Sequence, residues 1–183
     1  LGEGFFSSDD DTFVIRSVKV VGDGALGSRG AALIDDYSDE PGNRGLLRYD
    51  DERLEFLMRV AMNAGFQVGA FALCDNATLK VMDNYARLIH ETDTQAMRHR
   101  IEHAQILRYE DILRFAELGV IPSMQATHAT SDKNMAEDRI GSVRIQGAYA
   151  WRKLLDTGAI IANGSDFPVE SPNPFWGLHA SVT

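Results

Sequence analysis

The chain has 183 residues, with 18 Lys+Arg against 27 Asp+Glu, a formal net charge of −9 and a pI near 4.9. That acidity argues against a nucleic-acid or anionic-membrane partner, because phosphate surfaces are held by basic faces. One cysteine, Cys74, rules out an intrachain disulfide framework, and no apolar run approaches the roughly 18 to 20 residues that span a bilayer.

Residues 1–11 are rich in Gly and Asp and read as an irregular lead-in. Residues 12–21 alternate and are β-branched, which predicts a strand. A glycine-rich loop (22–30) and a polar loop (35–49) follow. Asp50 caps a helix whose apolar residues Leu54, Leu57, Met58, Ala61 and Ala64 recur at three and four, and Gly65 stops it. Residues 66–73 read as a short apolar strand. Asp75 is expected to cap a second helix carrying Val81, Tyr85 and Leu88. Residues 97–103 read as a strand, Ile112 to Ala116 as a helix stopped by Gly119, 120–124 as a strand, and 125–146 as a loop. Ala148 to Leu155 read as a fourth helix, and 159–162 as a last strand.

Strand–helix alternation through five strands predicts an α/β protein with a parallel sheet. Two architectures fit: a doubly wound open sheet, or part of a (β/α)8 TIM-like barrel, which when complete takes roughly 250 residues. In both, functional groups sit just past the C-terminal ends of the strands. The abrupt ends at Leu1 and Thr183 favour a piece of a longer chain.

Three features can carry chemistry. His99 to His103 matches H-x-x-E-H, a metalloprotease pattern that requires a helix; in a strand, His99, Ile101 and His103 share one face and Glu102 the other, leaving a satisfied His and an Arg–Glu pair. Asp166 follows the last strand, where it can bind a metal or move a proton, or else cap a turn. Lys19 lies within an apolar strand, so it needs a partner or a modification unless it points outward.

Lys19 with GDGALGSRGAAL after it, RHRIEHAQ at 98–105, PSMQATHATSD at 122–132, GAYAWRKLLDTGA at 147–159 and the closing NGSDFPVESPNPFWGLHASVT together resemble the amidohydrolase superfamily. The nearest branch is amidohydrolase family 3, similar to N-substituted formamide deformylases. The resemblance runs from Phe13 to Thr183. It implies that residues 1–183 are the C-terminal part of a (β/α)8 barrel, about strands four to eight, without the N-terminal strands and the β-sandwich. It implies hydrolysis of amide-like, non-peptide C–N bonds in a small molecule by a metal-bound hydroxide, the divalent ion being zinc above others, one or two per intact protein.

By the same comparison Lys19 is a carboxylated lysine ligand, His103 a metal ligand, and Asp166 both a ligand and the catalytic base. Arg29, Gln125 and His128 are the expected substrate-binding residues. Two departures stand out. No H-x-H pair lies upstream, and Phe71-Ala72-Leu73-Cys74-Asp75 stands where the family reads like His-Ala-Ile-Gly-Asp. Phe71 therefore replaces a metal-binding His, and Cys74 is the one alternative thiolate nearby. A degenerate, non-catalytic homologue is the alternative reading. The sequence leaves the compartment open, with the cytoplasm favoured. The 183-residue chain by itself is expected to be inactive, since only Lys19, His103 and Asp166 of the family's ligands are present. Its open sheet edges are expected to favour assembly, including a homo-oligomer.

Overall fold

A computed structural model describes residues 4–183. Two short strands, β1 (Phe6–Ser7) and β2 (Val14–Ile15), pair antiparallel outside the main sheet. The strand expected over 12–21 is thus split: only β3 (Ser17–Val21) enters the main sheet, and the lead-in expected to be irregular contains β1.

Five parallel strands follow in sequential order: β3, β4 (Gln67–Ala72), β5 (Arg100–His103), β6 (Ile121–Met124) and β7 (Ala162–Asn163). A doubly wound sheet must reverse strand order at a switch point. This one never does, so it is an arc of a (β/α)8 barrel. The last strand is shorter than the apolar run at 159–162, because Ile160 is exposed and only Ala162 and Asn163 find partners on β6.

Helix α1 (Asp51–Asn63) starts where Asp50 accepts the Arg53 amide at 2.8 Å, and buries Leu54, Met58, Ala61 and Met62. Helix α2 (Asp75–Thr92) packs on α1 and buries Val81, Met82, Tyr85 and Leu88. Its N-cap is Cys74, which makes no side-chain cap bond; the Asp75 carboxylate instead accepts the Ile34 and Asn76 amides. Helix α3 (Ile112–Leu118) ends at Gly119, whose φ of 64° suits a left-handed cap. The segment expected as a loop holds two helices, α4 (Ala126–Asp132) and α5 (Ala136–Arg144). Their apolar contribution is confined to a few residues such as Ala136 and Ile140, so no apolar periodicity announces them. Helix α6 (Trp151–Asp156) packs on α3. Helix α7 (Pro174–Val182) begins with Asn173 accepting the Phe175 amide and Pro174 in the first turn.

The two faces of the sheet differ. Val20, Val68, Ala70, Ala72, Ile101 and Met124 face the helices and form the main core with Met58, Val81, Leu88 and Phe115. Lys19, Gly69, Arg100 and Glu102 face the other way and line a cavity. Among the described residues, no helix is long and apolar enough to cross a membrane.

Candidate active site

The inner-face cavity, of about 230 Å³, brings together Lys19, Arg100, Glu102, His103, Gln125 and Asp166. Four of the six residues expected to form the site are therefore in one place.

Lys19 arrives from β3, the edge strand, and is exposed rather than buried. Its ammonium lies 5.4 Å from the centroid of the Phe71 ring. That contact is a cation–π pair, with the negative face of the ring toward the charge.

His103 reaches the cavity by a break in the strand. Strict alternation puts it with Ile101 on the core side, but His103 has φ 77° and Ala104 φ 44°. Two successive left-handed residues end the pleat and turn the imidazole inward. There it meets the Phe71 ring edge-on at 4.4 Å. Nδ1 is 2.8 Å from Gln125 Oε1, while Gln125 Nε2 donates to the Ser123 carbonyl at 3.3 Å. Because the amide nitrogen is committed to a carbonyl, the amide oxygen faces the ring. Nδ1–H donates to it, and Nε2 keeps its lone pair. Burial pushes the His103 pKa down, against the pull of Asp166. The ring is thus a neutral donor, the form a metal ligand needs.

Asp166, at φ 54° on the loop after β7, completes the cavity. His128 does not line it. It stacks on His103 from α4, with centroids 5.7 Å apart and planes 11° from parallel, and its buried Nε2 has no hydrogen-bond partner among the described residues. Arg29 lies outside the cavity as well; Asp39 holds it at 2.9 and 3.0 Å, with Glu40 at 3.3 Å.

Two alternatives are removed. Residues 100–103 form a strand, and His99 is structural: its Nδ1 accepts the Val68 amide at 3.0 Å and its Nε2 meets Thr94 Oγ1 at 3.0 Å. The helical metalloprotease reading fails, and the satisfied His with an Arg–Glu pair is what stands there, Arg100 Nε donating to Glu102 at 2.7 Å. Cys74 is fully buried in a separate cluster with Leu26, Leu33 and Ile106. Burial, then Asp23 and Asp75, push its thiol pKa well up, so it offers no thiolate.

Two contributors give little signal in the sequence. Gly69 is the slot that the Arg100–Glu102 pair fills: a Cβ there would stand 2.9 Å from Glu102 Oε1. Asp23 fixes the loop above β3, its carboxylate accepting the amides of Leu73 (2.9 Å), Ala32 (3.0 Å) and Cys74 (3.1 Å).

Within the described residues the cavity supplies an incomplete ligand set for a metal. Among the described residues no group of three or more His, Cys, Asp and Glu could hold an ion. His103 and Asp166 both line the cavity and are donors of the right kind, and the Phe71 phenyl ring packed against His103 offers no lone pair.

A family model described as the amidohydrolase family matches residues 3–183. A Bacillus subtilis (strain 168) protein named "Putative amidohydrolase YtcJ" is 36% identical over 167 residues, covering 91% of this chain and 31% of its own length. The Arabidopsis thaliana "Protein LONG AFTER FAR-RED 3" is 34% identical over 169 residues, covering 92% and 29%. The chain thus spans less than a third of these relatives. Crystal structures of uncharacterized metal-dependent hydrolases from Pyrococcus furiosus and Pyrococcus horikoshii OT3 each superpose with a TM-score of 0.86. The first is 28% identical and covers 100% of this chain and 36% of its own; the second is 30% identical and covers 99% and 35%.

Proposed function

The chain belongs to the amidohydrolase family, and on that premise we propose that the protein containing it is a metal-dependent hydrolase of non-peptide C–N bonds in small amide-like molecules. The observation that carries this reading is the His103 imidazole, whose Nδ1 is held by Gln125 so that Nε2 keeps its lone pair, lining a cavity shared with Asp166 and Lys19.

His103 and Asp166 would hold a divalent ion, zinc first among candidates, with further ligands from outside residues 1–183. Such an ion, when bound, lowers the pKa of water and polarises a carbonyl. The work of this chain's residues is proton handling and positioning. Asp166 takes a proton from the attacking water and returns it to the leaving nitrogen. Gln125 fixes the tautomer of His103, and His128 packs behind the ring. With Arg29 engaged by Asp39 and Glu40, Gln125 is the better placed of the expected substrate contacts. Residues 1–183 are the C-terminal part of the barrel, and they are inactive alone.

A second reading, a non-catalytic homologue that has lost metal, is favoured by Phe71 alone. Hydrolysis of N-acyl amines and formamides by the intact protein, abolished by chelator and restored by zinc, separates the two. Absence of both metal and hydrolysis in the intact, folded protein would rule out the enzyme.

A further inference from the structure

We propose that Phe71 makes this a one-ion site and leaves Lys19 as an unmodified side chain, not a carboxylated bridging ligand. The inference deepens the hydrolase reading and rests on it.

The Phe71 ring lies against both residues that a second ion would have to join, 5.4 Å from Lys19 Nζ and 4.4 Å from the His103 ring. It offers no lone pair. Its face carries the negative end of the aromatic quadrupole, which attracts an ammonium and repels an anion. Carboxylation of a lysine forms an N–C bond to CO2 with release of a proton, and puts an anionic carbamate where the cation was. On this wall that carbamate would meet the ring face.

It would also meet Glu102. Lys19 pairs in register with Gly69, and the Glu102 carboxylate overlies Gly69, its Oε1 2.9 Å from where a Cβ would be. Arg100 compensates one carboxylate there. A second anion, without a second ion to bridge, would have to share with Glu102 and Gln67 the one guanidinium lining the cavity, that of Arg100, whereas an ammonium is complementary to both the ring and Glu102. What remains for metal is His103 Nε2 with Asp166.

The test uses the intact protein loaded with excess zinc and 13C-bicarbonate, with bound metal counted by mass spectrometry and the lysine carbamate sought by 13C NMR. One equivalent of zinc and no carbamate signal are expected. Lys19→Arg, which cannot be carboxylated, is expected to keep that single equivalent. Phe71→His is expected to gain a second equivalent together with a carbamate signal. Two equivalents or a carbamate in the wild type would overturn the inference while leaving the hydrolase reading in place, as would loss of the ion in folded Lys19→Arg. No gain in folded Phe71→His would overturn the role given to Phe71. Zinc-free wild type would overturn the hydrolase reading itself, and the inference with it.

Discussion

Gln125 accepts from His103, its amide oxygen 2.8 Å from Nδ1, and so decides which ring nitrogen keeps its lone pair. Leu in place of Gln125 keeps the volume and removes the acceptor. Gln125→Leu in the intact protein is expected to weaken metal affinity by roughly 10- to 100-fold, read by competition with a chromogenic chelator. Unchanged affinity would mean that the imidazole needs no such partner.

Asp166 is the one carboxylate in the cavity without a guanidinium partner; Glu102 is bound to Arg100. Asp166→Asn is expected to lower kcat by roughly 10²- to 10⁴-fold, with a thermal midpoint close to the wild type. Retained turnover would assign the proton transfer elsewhere.

Two buried groups pull the pH dependence of stability in opposite directions. Burial pushes the Asp23 carboxyl up to about 6 from 3.8, and pushes His99 down to about 4 from 6.5. For Asp23 the folded state binds the extra proton between about pH 4 and 6, so its contribution to stability falls as pH rises through that window. For His99 the unfolded state binds the extra proton between about pH 4 and 6.5, so its contribution is complete above 6.5 and is lost as pH falls toward 4. Each shift is worth on the order of 3 kcal/mol. In the wild type the two slopes oppose each other between about pH 4 and 6. Asp23→Asn removes one, so urea unfolding of that variant is expected to show stability falling steeply from pH 6.5 to 4. A flat profile in the variant would contradict the assignment to His99.

Tyr85 is fully buried on α2 and places its hydroxyl 2.9 Å from the carbonyls of Val68 and Arg100, tying the helix to β4 and β5. Tyr85→Phe keeps the ring against His99 but leaves those carbonyls without the bond. A loss of about 1 kcal/mol is expected in denaturant unfolding. No loss would show that the hydroxyl bond is dispensable.

Gly69→Ala places a methyl 2.9 Å from Glu102 Oε1 and 3.2 Å from Arg100 Nη2. Both are ends of flexible side chains, so the fold is expected to tolerate the change while the ion pair shifts into the cavity. The expected result is a raised KM with a stability change below about 1 kcal/mol. An unchanged KM would show that the pair's position does not shape the cavity.

Local signals in the chain determine much of the scaffold. Asp50 and Gly65 bracket α1, the short apolar runs mark β4 and β6, and their alternation with helices yields the parallel class, because caps, stops and periodicity act between near neighbours. The motifs that resemble the amidohydrolases likewise point to Lys19, His103, Gln125 and Asp166 together. Helices α4 and α5 escape such reading because their burial depends on distant partners: Arg139 on α5 pairs with Asp39, and Arg144 donates to the Asp36 carbonyl at 2.7 Å. Only the tertiary structure decides that strand order never reverses, that two left-handed residues turn His103 off the core face, and that Arg29 is bound to acidic neighbours outside the cavity. Each depends on which surfaces meet across the sheet, and no spacing along the chain encodes that meeting.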